Sequence, residues 1–470
     1  MGSKVQLIYP PSRIVIREDR CQVSSRVIIS PLLPPTDLMY LAAVAEAEGC
    51  LCKITDYTLD KKTFGDFAAD IKDFRPDFLV ISTTTPTLDD DLRICSAAKR
   101  ILPDIRIIAK GAHFLKFSEK VMERFYDLDM IVRGEAEMTF KEVIQGKEPS
   151  EIEGLTWRGP EGVISNPDRQ FIEDLDSLPF PARHLIDNSL YVRPDNNKPL
   201  GVIKVSRGCP YHCFFCLASP VSGTNVRMRS PENIIRELRL CIEKYGIRDF
   251  IFWSDIFSMS KQWVMELCRA IIDSGLKFTW SANTRADTID IEMAEYMRKA
   301  GCVMVSVGVE SGNQEILNKT GKGITIEQIR ETFRIFKKAG LKTLAYYLIG
   351  LPWETRETAE ETIRFSIELD SDFASFFTVT PLPGTRFFEY VLENGLFDTG
   401  VDIIQLYEDS YYCPTVKGHY LSKDEIAGLQ KKAVRRFYLR PRYILKSLLR
   451  IHSWRELINY SKAALSIIRK

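Results

Sequence analysis

The stretch VIKVSRGCPYHCFFC, residues 202–216, decides how the second half of this chain is interpreted. A short apolar strand leads directly into three cysteines, Cys209, Cys213 and Cys216, with the spacing C-x3-C-x2-C. Structural zinc sites are usually closed by four ligands from paired C-x2-C knuckles, and no second knuckle follows here. Three thiolates on a four-iron cluster leave one iron open to a small molecule. The motif therefore predicts a reactive iron–sulfur cluster, with a zinc site as the alternative.

The other cysteines form no comparable motif. Of the 11 cysteines in the chain, the isolated ones are expected to be buried thiols that pack as small hydrophobic residues. Cys50 and Cys52 form a C-x-C pair without a further knuckle, so a second cluster there lacks ligands. His212 lies between two cysteines of the motif, and a role as fourth ligand remains an alternative.

From residue 202 onward, apolar runs alternate with amphipathic helical segments. The expected strands are 202–206, 249–255, 277–283, 303–310, 342–350 and 373–381. Ser230 followed by Pro231 is typical of a helix start, and glycines follow the ends of the expected helices. Six strand–helix repeats predict a (βα)6 partial TIM barrel, whose chemistry lies at the carboxyl ends of its strands.

The first part of the chain has the same alternation, with expected strands at 5–9, 77–82, 105–111 and 130–135. Short apolar runs followed by helices predict βαβ units on a parallel, doubly wound sheet. Prolines interrupt the pattern over residues 147–200, although two short runs in that segment, 155–159 and 162–166, could pair as a hairpin. The predicted domains are a Rossmann-like domain (1–146), a linker with that hairpin (147–200), the partial barrel (201–400) and a helical extension (401–470). The fold class is therefore α/β.

Composition narrows the range of partners. The chain of 470 residues is 45% hydrophobic and 27% charged, with a net charge of +1, which argues against nucleic acid as a partner. No apolar run is long enough to span a bilayer, and the N-terminus does not have the layout of a signal peptide, so a cytoplasmic location is expected. The tail is different, because residues 431–470 carry 12 basic side chains and one acidic one, Glu456.

The cysteine motif at the end of the first barrel strand resembles that of the radical S-adenosylmethionine (SAM) superfamily. The resemblance implies that Cys209, Cys213 and Cys216 hold a 4Fe–4S cluster, whose open iron binds the amino and carboxylate groups of SAM. It also implies that an electron from the reduced cluster cleaves SAM to a 5′-deoxyadenosyl radical, which removes hydrogen from a substrate. A reductase, flavodoxin or ferredoxin would supply that electron. The cofactors carry out the difficult chemistry, while the protein positions and shields them.

Further positions match the family's SAM-binding pattern at strand ends. The resemblance assigns them to contacts with SAM; they are Phe215, Asp255, Arg285, Gly308, Glu310, Ser311, Gly350 and Pro352. Many relatives have two acids where this chain has Ser254 and Asp255, which weakens that match. From the residues alone, Arg285 and Glu310 are also compatible with strand-end ion pairs, and Asp255 with a helix cap. The strand aromatics are expected to belong to the core; they are Trp253, Trp280, Tyr346 and Tyr347.

With the segments PPTDLMYLAAVAEAEG (34–49), GAHFL (111–115) and VRGEAE (132–137), the first domain resembles the cobalamin-binding module of cobalamin-dependent radical SAM enzymes. Ligands of doubly wound sheets bind beyond the carboxyl ends of the strands. Small and apolar groups there suit a corrin ring, and the residues in question are Thr83, Thr84, Thr85 and Gly111. No histidine stands in the D-x-H-x-x-G context of the cobalamin proteins that use a histidine ligand. His113 is therefore expected to be a histidine of a surface loop, with axial ligation of cobalt as the alternative.

The basic tail spaces leucines and isoleucines as an amphipathic helix does, with Lys and Arg between them. Such a helix either packs across the barrel or lies on an anionic membrane surface. The run RPRYIL (440–445) resembles tails in the subfamily that includes the anaerobic magnesium-protoporphyrin cyclase and hopanoid-modifying enzymes, whose substrates are lipophilic. The resemblance implies a lipophilic small-molecule substrate and peripheral contact with the inner face of the membrane.

The leading hypothesis is a cobalamin-binding radical SAM enzyme that methylates an unactivated carbon atom. The alternative is a radical SAM cyclase, oxidase or rearrangement enzyme, with cobalamin as a redox partner or absent. A noncatalytic metal-binding protein is the alternative from another class. Substrate specificity is expected from loops at the barrel mouth and from residues 386–430, where Tyr407, Tyr411 and Tyr412 stand out.

Overall fold

The computed structural model describes residues 2–12, 16–17, 23–24, 32–59, 62–193, 197–397 and 414–449. Within these ranges the chain builds one seven-stranded and one six-stranded sheet, each largely or wholly parallel. The predicted fold class, a Rossmann-like domain followed by a (βα)6 partial barrel, is confirmed. Tyr407, Tyr411, Tyr412 and the tail beyond Leu449 lie outside the described residues.

The first domain is a doubly wound sheet with the strand order β4-β1-β5-β6-β7-β8-β9. The residues at 78–81 and 107–109, in two of its central strands, are all apolar and buried, as strands covered by helices on both faces require. Its elements are β1 (Lys4–Tyr9), the pair β2 (Ile16–Arg17) and β3 (Val23–Ser24), α1 (Thr36–Ala47), β4 (Leu51–Asp56), α2 (Phe64–Phe74), β5 (Phe78–Ser82), α3 (Leu88–Leu92), α4 (Ile94–Ile101), β6 (Arg106–Lys110), α5 (Phe114–Arg124), β7 (Met130–Val132) and α6 (Ala136–Ile144).

The hairpin expected in the linker forms, and it extends the first sheet. Strands β8 (Leu155–Gly159) and β9 (Gly162–Ser165) pair antiparallel with each other, and β8 also pairs antiparallel with β7. Three short 3₁₀ turns follow, at 175–177, 183–185 and 188–190. The connection between the domains is therefore folded against the sheet as far as Ser165.

The six-stranded sheet has the order β10-β13-β14-β15-β16-β17, which is the order of the chain, and all of its pairs are parallel. Its elements are β10 (Leu200–Lys204), the pair β11 (Ser206–Arg207) and β12 (Arg227–Met228), α7 (Ala218–Ser222), α8 (Pro231–Tyr245), β13 (Asp249–Trp253), α9 (Lys261–Asp273), β14 (Thr279–Thr284), α10 (Ile291–Lys299), β15 (Cys302–Glu310), α11 (Gln314–Lys319), α12 (Ile326–Lys338), β16 (Lys342–Ile349), α13 (Arg356–Leu369), β17 (Phe373–Thr378), α14 (Arg386–Glu393), α15 (Lys423–Tyr438) and α16 (Pro441–Leu448).

The four strand aromatics that we expected in the core lie on two opposite faces of the barrel sheet. Trp280 and Tyr347 are fully buried in the main core between the sheet and its helices. Trp253 and Tyr346 are only half-buried. Since successive side chains of a strand point to opposite faces, the expectation is confirmed for Trp280 and Tyr347, while Tyr346 lies half-buried on the inner side. Trp253 packs against a separate small cluster formed by Leu33, Leu200 and Val202.

A buried group of charges joins the interdomain connection to the barrel. Glu237 of α8 accepts hydrogen bonds from Arg183 at 2.7 Å and from Arg229 at 2.6 Å. The side chain of Glu237 is 0% exposed, and those of Arg183 and Arg229 are 1% and 4% exposed. Both arginines also donate to carbonyl oxygens of β10, at Val202 and Lys204. The strand that precedes the cysteines is thus held at a defined position.

We expect Glu237→Gln to lower the free energy of unfolding by about 3–5 kcal/mol, because it leaves two buried guanidinium groups without their counter-charge. The measurement is thermal and urea unfolding of the full-length protein. Glu243→Gln on the same helix is the matched control, since its pair with Arg239 spans 3.9 Å and is largely exposed. The control should cost less than about 1 kcal/mol. Equal unfolding curves for the two variants would contradict the assignment.

Candidate functional site

The three predicted cysteines lie on one loop at the carboxyl end of β10. Cys209 is buried, and Cys213 and Cys216 are half-buried. The Cys216 amide donates to the Cys213 carbonyl at 3.0 Å, and the Ala218 amide donates to the Cys216 sulfur at 3.4 Å. Within the described ranges, no three His, Cys, Asp or Glu side chains lie close enough to bind a single metal ion. The thiolates of an iron–sulfur cube each bind a different iron, so such a cluster needs no convergence on one point.

Arg285 joins the cysteine loop to the end of β14. Its guanidinium group lies 3.5 Å from the ring centre of Tyr211, inside the cysteine motif. The same group donates two hydrogen bonds of 2.9 Å to Asp287 and one of 2.7 Å to the carbonyl of Lys322. Arg285 therefore forms an ion pair, as the sequence analysis allowed, and its partner is Asp287.

Glu310 occupies an unusual position at the end of β15. Its φ is +66°, in the left-handed region that a non-glycine residue adopts at a cost. Its carboxylate pairs with the Lys322 ammonium group at 2.5 Å, and Lys322 also donates to the carbonyl of Gly308 at 2.6 Å. Both side chains are about nine-tenths buried or more. A Cβ at Gly308 would lie 2.4 Å from the Glu310 carboxylate, so this close approach requires glycine.

Lys322 is a site residue that the sequence analysis missed. It follows α11 in a T-G-K-G loop, far from any strand end, so neither the barrel rule nor the family pattern singled it out. Burial raises the pKa of the Cys213 thiol, and the positive charges of Lys322 and Arg285 oppose that rise. Two cations thus lie beside the cysteine loop, where they favour the thiolate form that binds metal.

Asp255 and Ser311 contact the protein itself. The Asp255 carboxylate accepts a hydrogen bond of 2.7 Å from the Gly208 amide, directly before the first cysteine. The expected alternative of a helix cap is wrong, because Ser260 caps the following helix. The Ser311 hydroxyl lies 3.1 Å from the Thr362 hydroxyl of α13 and is fully buried.

The turn after β16 is held by a buried carboxylate. Glu354 is 0% exposed, and it accepts a hydrogen bond of 2.6 Å from the Gly350 amide, while its second oxygen has no protein partner. Burial raises the pKa of Glu354 to about 8. The Pro352 carbonyl accepts a hydrogen bond from the His419 amide, so the C-terminal segment packs over the same turn.

Phe215 is half-buried and packs against the cluster around the neighbouring Phe214.

At the edge of the first sheet, two buried polar groups have no protein partner. The Thr83 hydroxyl donates a hydrogen bond to the Lys110 carbonyl, and the Thr84 hydroxyl is hydrogen-bonded to the Thr87 hydroxyl. The Thr85 hydroxyl and both ring nitrogens of His113 have no hydrogen-bond partner and are buried. The expectation that His113 lies in a surface loop is wrong, because it is 0% exposed, and burial lowers its pKa to about 3.

The loops after β5 and β6 pack closely against each other. A Cβ at Gly111 would lie 2.6 Å from the Thr83 carbonyl, so the two loops touch main chain to main chain. Unpartnered buried polar atoms cost free energy unless something outside the chain bonds to them. Because Thr85 and His113 are buried, a ligand reaches their unpartnered polar atoms only if the loops after β5 and β6 separate.

Ion pairs hold the two domains together around a shared cleft. Glu137 at the start of α6 accepts hydrogen bonds of 2.5 and 3.2 Å from Arg207, and Glu135 accepts two of 2.9 Å from Arg227. Burial alone would raise the pKa of Glu137, yet the Arg207 guanidinium holds it at about 2. The cleft is bordered by Asp37 and Lys110 of the first domain and by residues next to the cysteine loop, including Arg207 and Asp255.

Comparison with known families gives two matches. Residues 203–366 match the radical SAM superfamily, and residues 29–144 match the B12 binding domain. An uncharacterized methyltransferase of Pyrococcus horikoshii is 34% identical over 455 residues, which are 96% of each chain. The anaerobic magnesium-protoporphyrin IX monomethyl ester cyclase of Rubrivivax gelatinosus is 26% identical, covering 87% of this chain and 75% of the relative.

Among solved structures, the fold resembles that of TsrM from Kitasatospora setae, a radical SAM methyltransferase solved with cobalamin and a [4Fe-4S] cluster bound. The TM-score is 0.72 at 19% sequence identity, with 94% of this chain and 90% of that chain covered. At this identity the likeness supports the fold, which extends over both domains.

We expect Lys322→Met to weaken the binding of SAM by about tenfold, or about 1.4 kcal/mol, because it leaves the buried Glu310 carboxylate unpaired and releases its left-handed conformation. Equilibrium dialysis with labelled SAM on anaerobically reconstituted protein measures this. Lys319→Met is the matched control, since Lys319 pairs with Glu315 on the exposed side of α11. Unchanged affinity in Lys322→Met, with iron content retained, would contradict the role of the pair.

Proposed function

Because this chain belongs to the radical SAM superfamily and carries a B12 binding domain, it is a cobalamin-dependent methyltransferase-like enzyme of that superfamily, and we propose that it methylates an unactivated carbon atom of a small molecule. One observation carries the proposal. Arg207 and Asp255, next to the cysteine loop, and Lys110, next to Gly111, border the same cleft. Ala112 also packs against Leu217, which directly follows Cys216, so the loop after β6 lies beside the cysteine loop. Domain roles follow: residues 1–146 bind cobalamin, 147–200 connect, 201–400 carry the radical site, and 401–470 form a C-terminal extension.

The cysteines hold the cluster in this proposal. Cys209, Cys213 and Cys216 would bind a 4Fe–4S cluster, and the nearby charges of Lys322 and Arg285 favour their thiolate forms. When bound, the cluster and SAM supply the radical chemistry and cobalamin supplies the methyl group. The chain itself orients these groups and excludes water from them.

The SAM-binding residues are proposed from their position at strand ends. Glu310, held by Lys322, and Arg285, held by Asp287 and Tyr211, are the best supported, because both are buried and fixed. Asp255 supports the loop through the Gly208 amide. The others contribute main-chain atoms or apolar contact; they are Phe215, Gly308, Ser311, Gly350 and Pro352.

Cobalamin is proposed to lie on the edge formed by the loops after β5 and β6. Gly111 is half-buried there, while Thr83 and Thr84 are buried, so contact of the two threonines with the cofactor requires the loops to move apart. Thr85 and His113 provide the unpartnered polar atoms, which support hydrogen bonds to the cofactor. His113 is neutral, because burial lowers its pKa to about 3.

A second candidate is a radical cyclisation, oxidation or rearrangement of the substrate. Similarity to the magnesium-protoporphyrin cyclases over most of this chain favours it. The mass of the product separates the two candidates, because methylation adds one CH2. A flavodoxin, a ferredoxin or a reductase is proposed as the electron donor for either reaction.

We expect Cys213→Ala to lose the 4Fe–4S cluster and all SAM-dependent release of 5′-deoxyadenosine, because the cluster needs its third thiolate. The measurements are iron and sulfide content, the absorption spectrum, and product analysis under anaerobic conditions. Cys268→Ala is the matched control, since that thiol is buried in the barrel core. If Cys213→Ala keeps its cluster, or if the wild type binds only zinc, the proposed function is wrong.

Contact with a membrane through the tail is proposed from α16. The packed-helix alternative describes residues up to Tyr443, because α15 and the start of α16 join the barrel core and Arg440 pairs with Asp370. Beyond that point, Leu445, Leu448 and Leu449 are 61%, 55% and 74% exposed. Lys446 and Arg442 of the same helix lie 3.4 and 3.7 Å from Asp370, and the Arg442 side chain is largely exposed, as basic side chains are in helices that bind anionic lipid surfaces. Within the described part of the chain, no helix is long and apolar enough to cross a membrane.

We expect the wild type to float with vesicles of anionic phosphatidylglycerol, and the triple variant Leu445→Ser, Leu448→Ser, Leu449→Ser to stay at the bottom of the gradient, because its apolar face is removed. The matched control replaces three apolar side chains exposed elsewhere, namely Leu190, Ile272 and Leu392. Flotation of the triple variant, or no flotation of the wild type, would rule out this contact.

A further inference from the structure

The guanidinium group of Arg285 is held in a defined orientation beside the cysteine loop. The Arg285 side chain is 7% exposed. Its Nε and Nη2 each donate a hydrogen bond of 2.9 Å to Asp287, and Nη2 donates a second one, of 2.7 Å, to the carbonyl of Lys322. A guanidinium group carries five N–H donors, so these contacts use the one on Nε and both on Nη2. The two donors on Nη1 are left for other partners.

The cysteines are the partners that Nη1 can reach. The positive charge of Arg285 acts on the side chains of Cys209 and Cys213, and Arg285 is also a hydrogen-bond donor to Cys213. Because Nε and Nη2 already bind Asp287 and Lys322, the donor toward Cys213 is Nη1. The guanidinium group is planar, so the Asp287 carboxylate lies on the edge away from Nη1. Arg285 therefore turns its unneutralised edge toward the cysteine loop.

Tyr211 covers one face of the same guanidinium group. This residue stands midway between Cys209 and Cys213 in the sequence, and its ring centre lies 3.5 Å from the guanidinium carbon. The ring also packs with the small cluster that contains Cys209 and Cys216. The face of an aromatic ring attracts a cation, and contact at this distance stops the guanidinium group from tilting out of its plane. The cysteine loop thus carries the side chain that fixes Arg285.

A cation in this position affects the reduction of a bound iron–sulfur cluster. Reduction adds one negative charge, and the reduction potential depends on net charge and on hydrogen bonds to the sulfur atoms. A positive charge and an N–H donor at Cys213 therefore stabilise the reduced form more than the oxidised form. An Arg285 side chain that turned away from the loop would lose both effects.

We propose that Tyr211 is a positioning residue for cluster reduction: its ring keeps Nη1 of Arg285 turned toward Cys213, where the cation favours the uptake of one electron. The inference rests on the proposed function, because it needs a 4Fe–4S cluster on the three cysteines. The electron comes from the donor protein, which is oxidised by one electron, and no bond forms or breaks in this step. It concerns the protein before SAM binds, so it is separate from the contact with SAM proposed for Arg285.

Two substitutions of Tyr211 test the proposal in the anaerobically reconstituted full-length protein without SAM. Tyr211→Phe keeps the ring face and should leave the reduction potential unchanged. Tyr211→Leu removes the ring face and should lower the equilibrium constant for one-electron reduction at least tenfold, or by about 59 mV. Stepwise reduction with titanium(III) citrate and mediator dyes, followed by electron paramagnetic resonance, measures this. Iron and sulfide analysis checks that the variants hold equal amounts of cluster.

A matched control and a double variant separate positioning from a general structural effect. Tyr296→Leu is the control, because Tyr296 of α10 is also half-buried and lies under an arginine, Arg269 of α9, at 5.8 Å. It should leave the potential unchanged. Arg285→Met should lower the potential as Tyr211→Leu does, and adding Tyr211→Leu to it should have no further effect, since Tyr211 acts through Arg285.

The outcomes separate this inference from the proposed function. An unchanged potential in Arg285→Met overturns the inference, even if Tyr211→Leu fails to hold its iron. Equal shifts in Tyr211→Phe and Tyr211→Leu, or additive shifts in the double variant, also overturn it, while release of 5′-deoxyadenosine from SAM by the wild type still supports the proposed function. Conversely, a wild type that shows the expected potentials but forms no methylated product refutes the proposed methylation and leaves the role of Tyr211 intact.

Discussion

Pairing of buried charges between the two domains is the constraint on which the site depends. Glu135 and Glu137 stand at the start of a helix in the first domain, and Arg207 and Arg227 belong to the short strand pair around the cysteine loop. Removing such charges from water is costly unless each finds its partner, so only one arrangement of the domains is favourable. That arrangement places the cysteine loop opposite the edge of the first sheet.

Around the cysteine loop, positive charge and burial act in opposite directions. Burial raises the pKa of the Cys209 and Cys213 thiols, which disfavours metal binding by the empty loop. Lys322 and Arg285 offset this effect at Cys213, and each is held by its own carboxylate, Glu310 or Asp287. The strained backbone at Glu310 is consistent with such a role, because strain persists where the surroundings over-determine a residue.

Much of the fold followed from periodicity. The strand–helix alternation predicted both sheets, and the Ser230–Pro231 helix start is present as expected. Periodicity did not separate the two faces of the barrel sheet: Trp280 and Tyr347 belong to the core, while Tyr346 lies half-buried on the inner side. Alternation in the sequence shows that two faces exist, but which face meets the helices depends on the closure of the sheet.

By itself, the sequence determined the cysteine motif, the alternation of strands and helices and the strand-end positions of the barrel, because spacing and hydrophobic pattern are local properties of the chain. It did not single out β4, nor the place of β4 at the edge of the first sheet. Only the tertiary structure decided that Lys322 pairs with Glu310, that Arg285 stacks on Tyr211, and that His113 is buried without a hydrogen-bond partner. These contacts join segments that are distant in sequence or depend on what covers them. The tertiary fold therefore determines which side chains are buried and which pair across loops, since no local pattern encodes this.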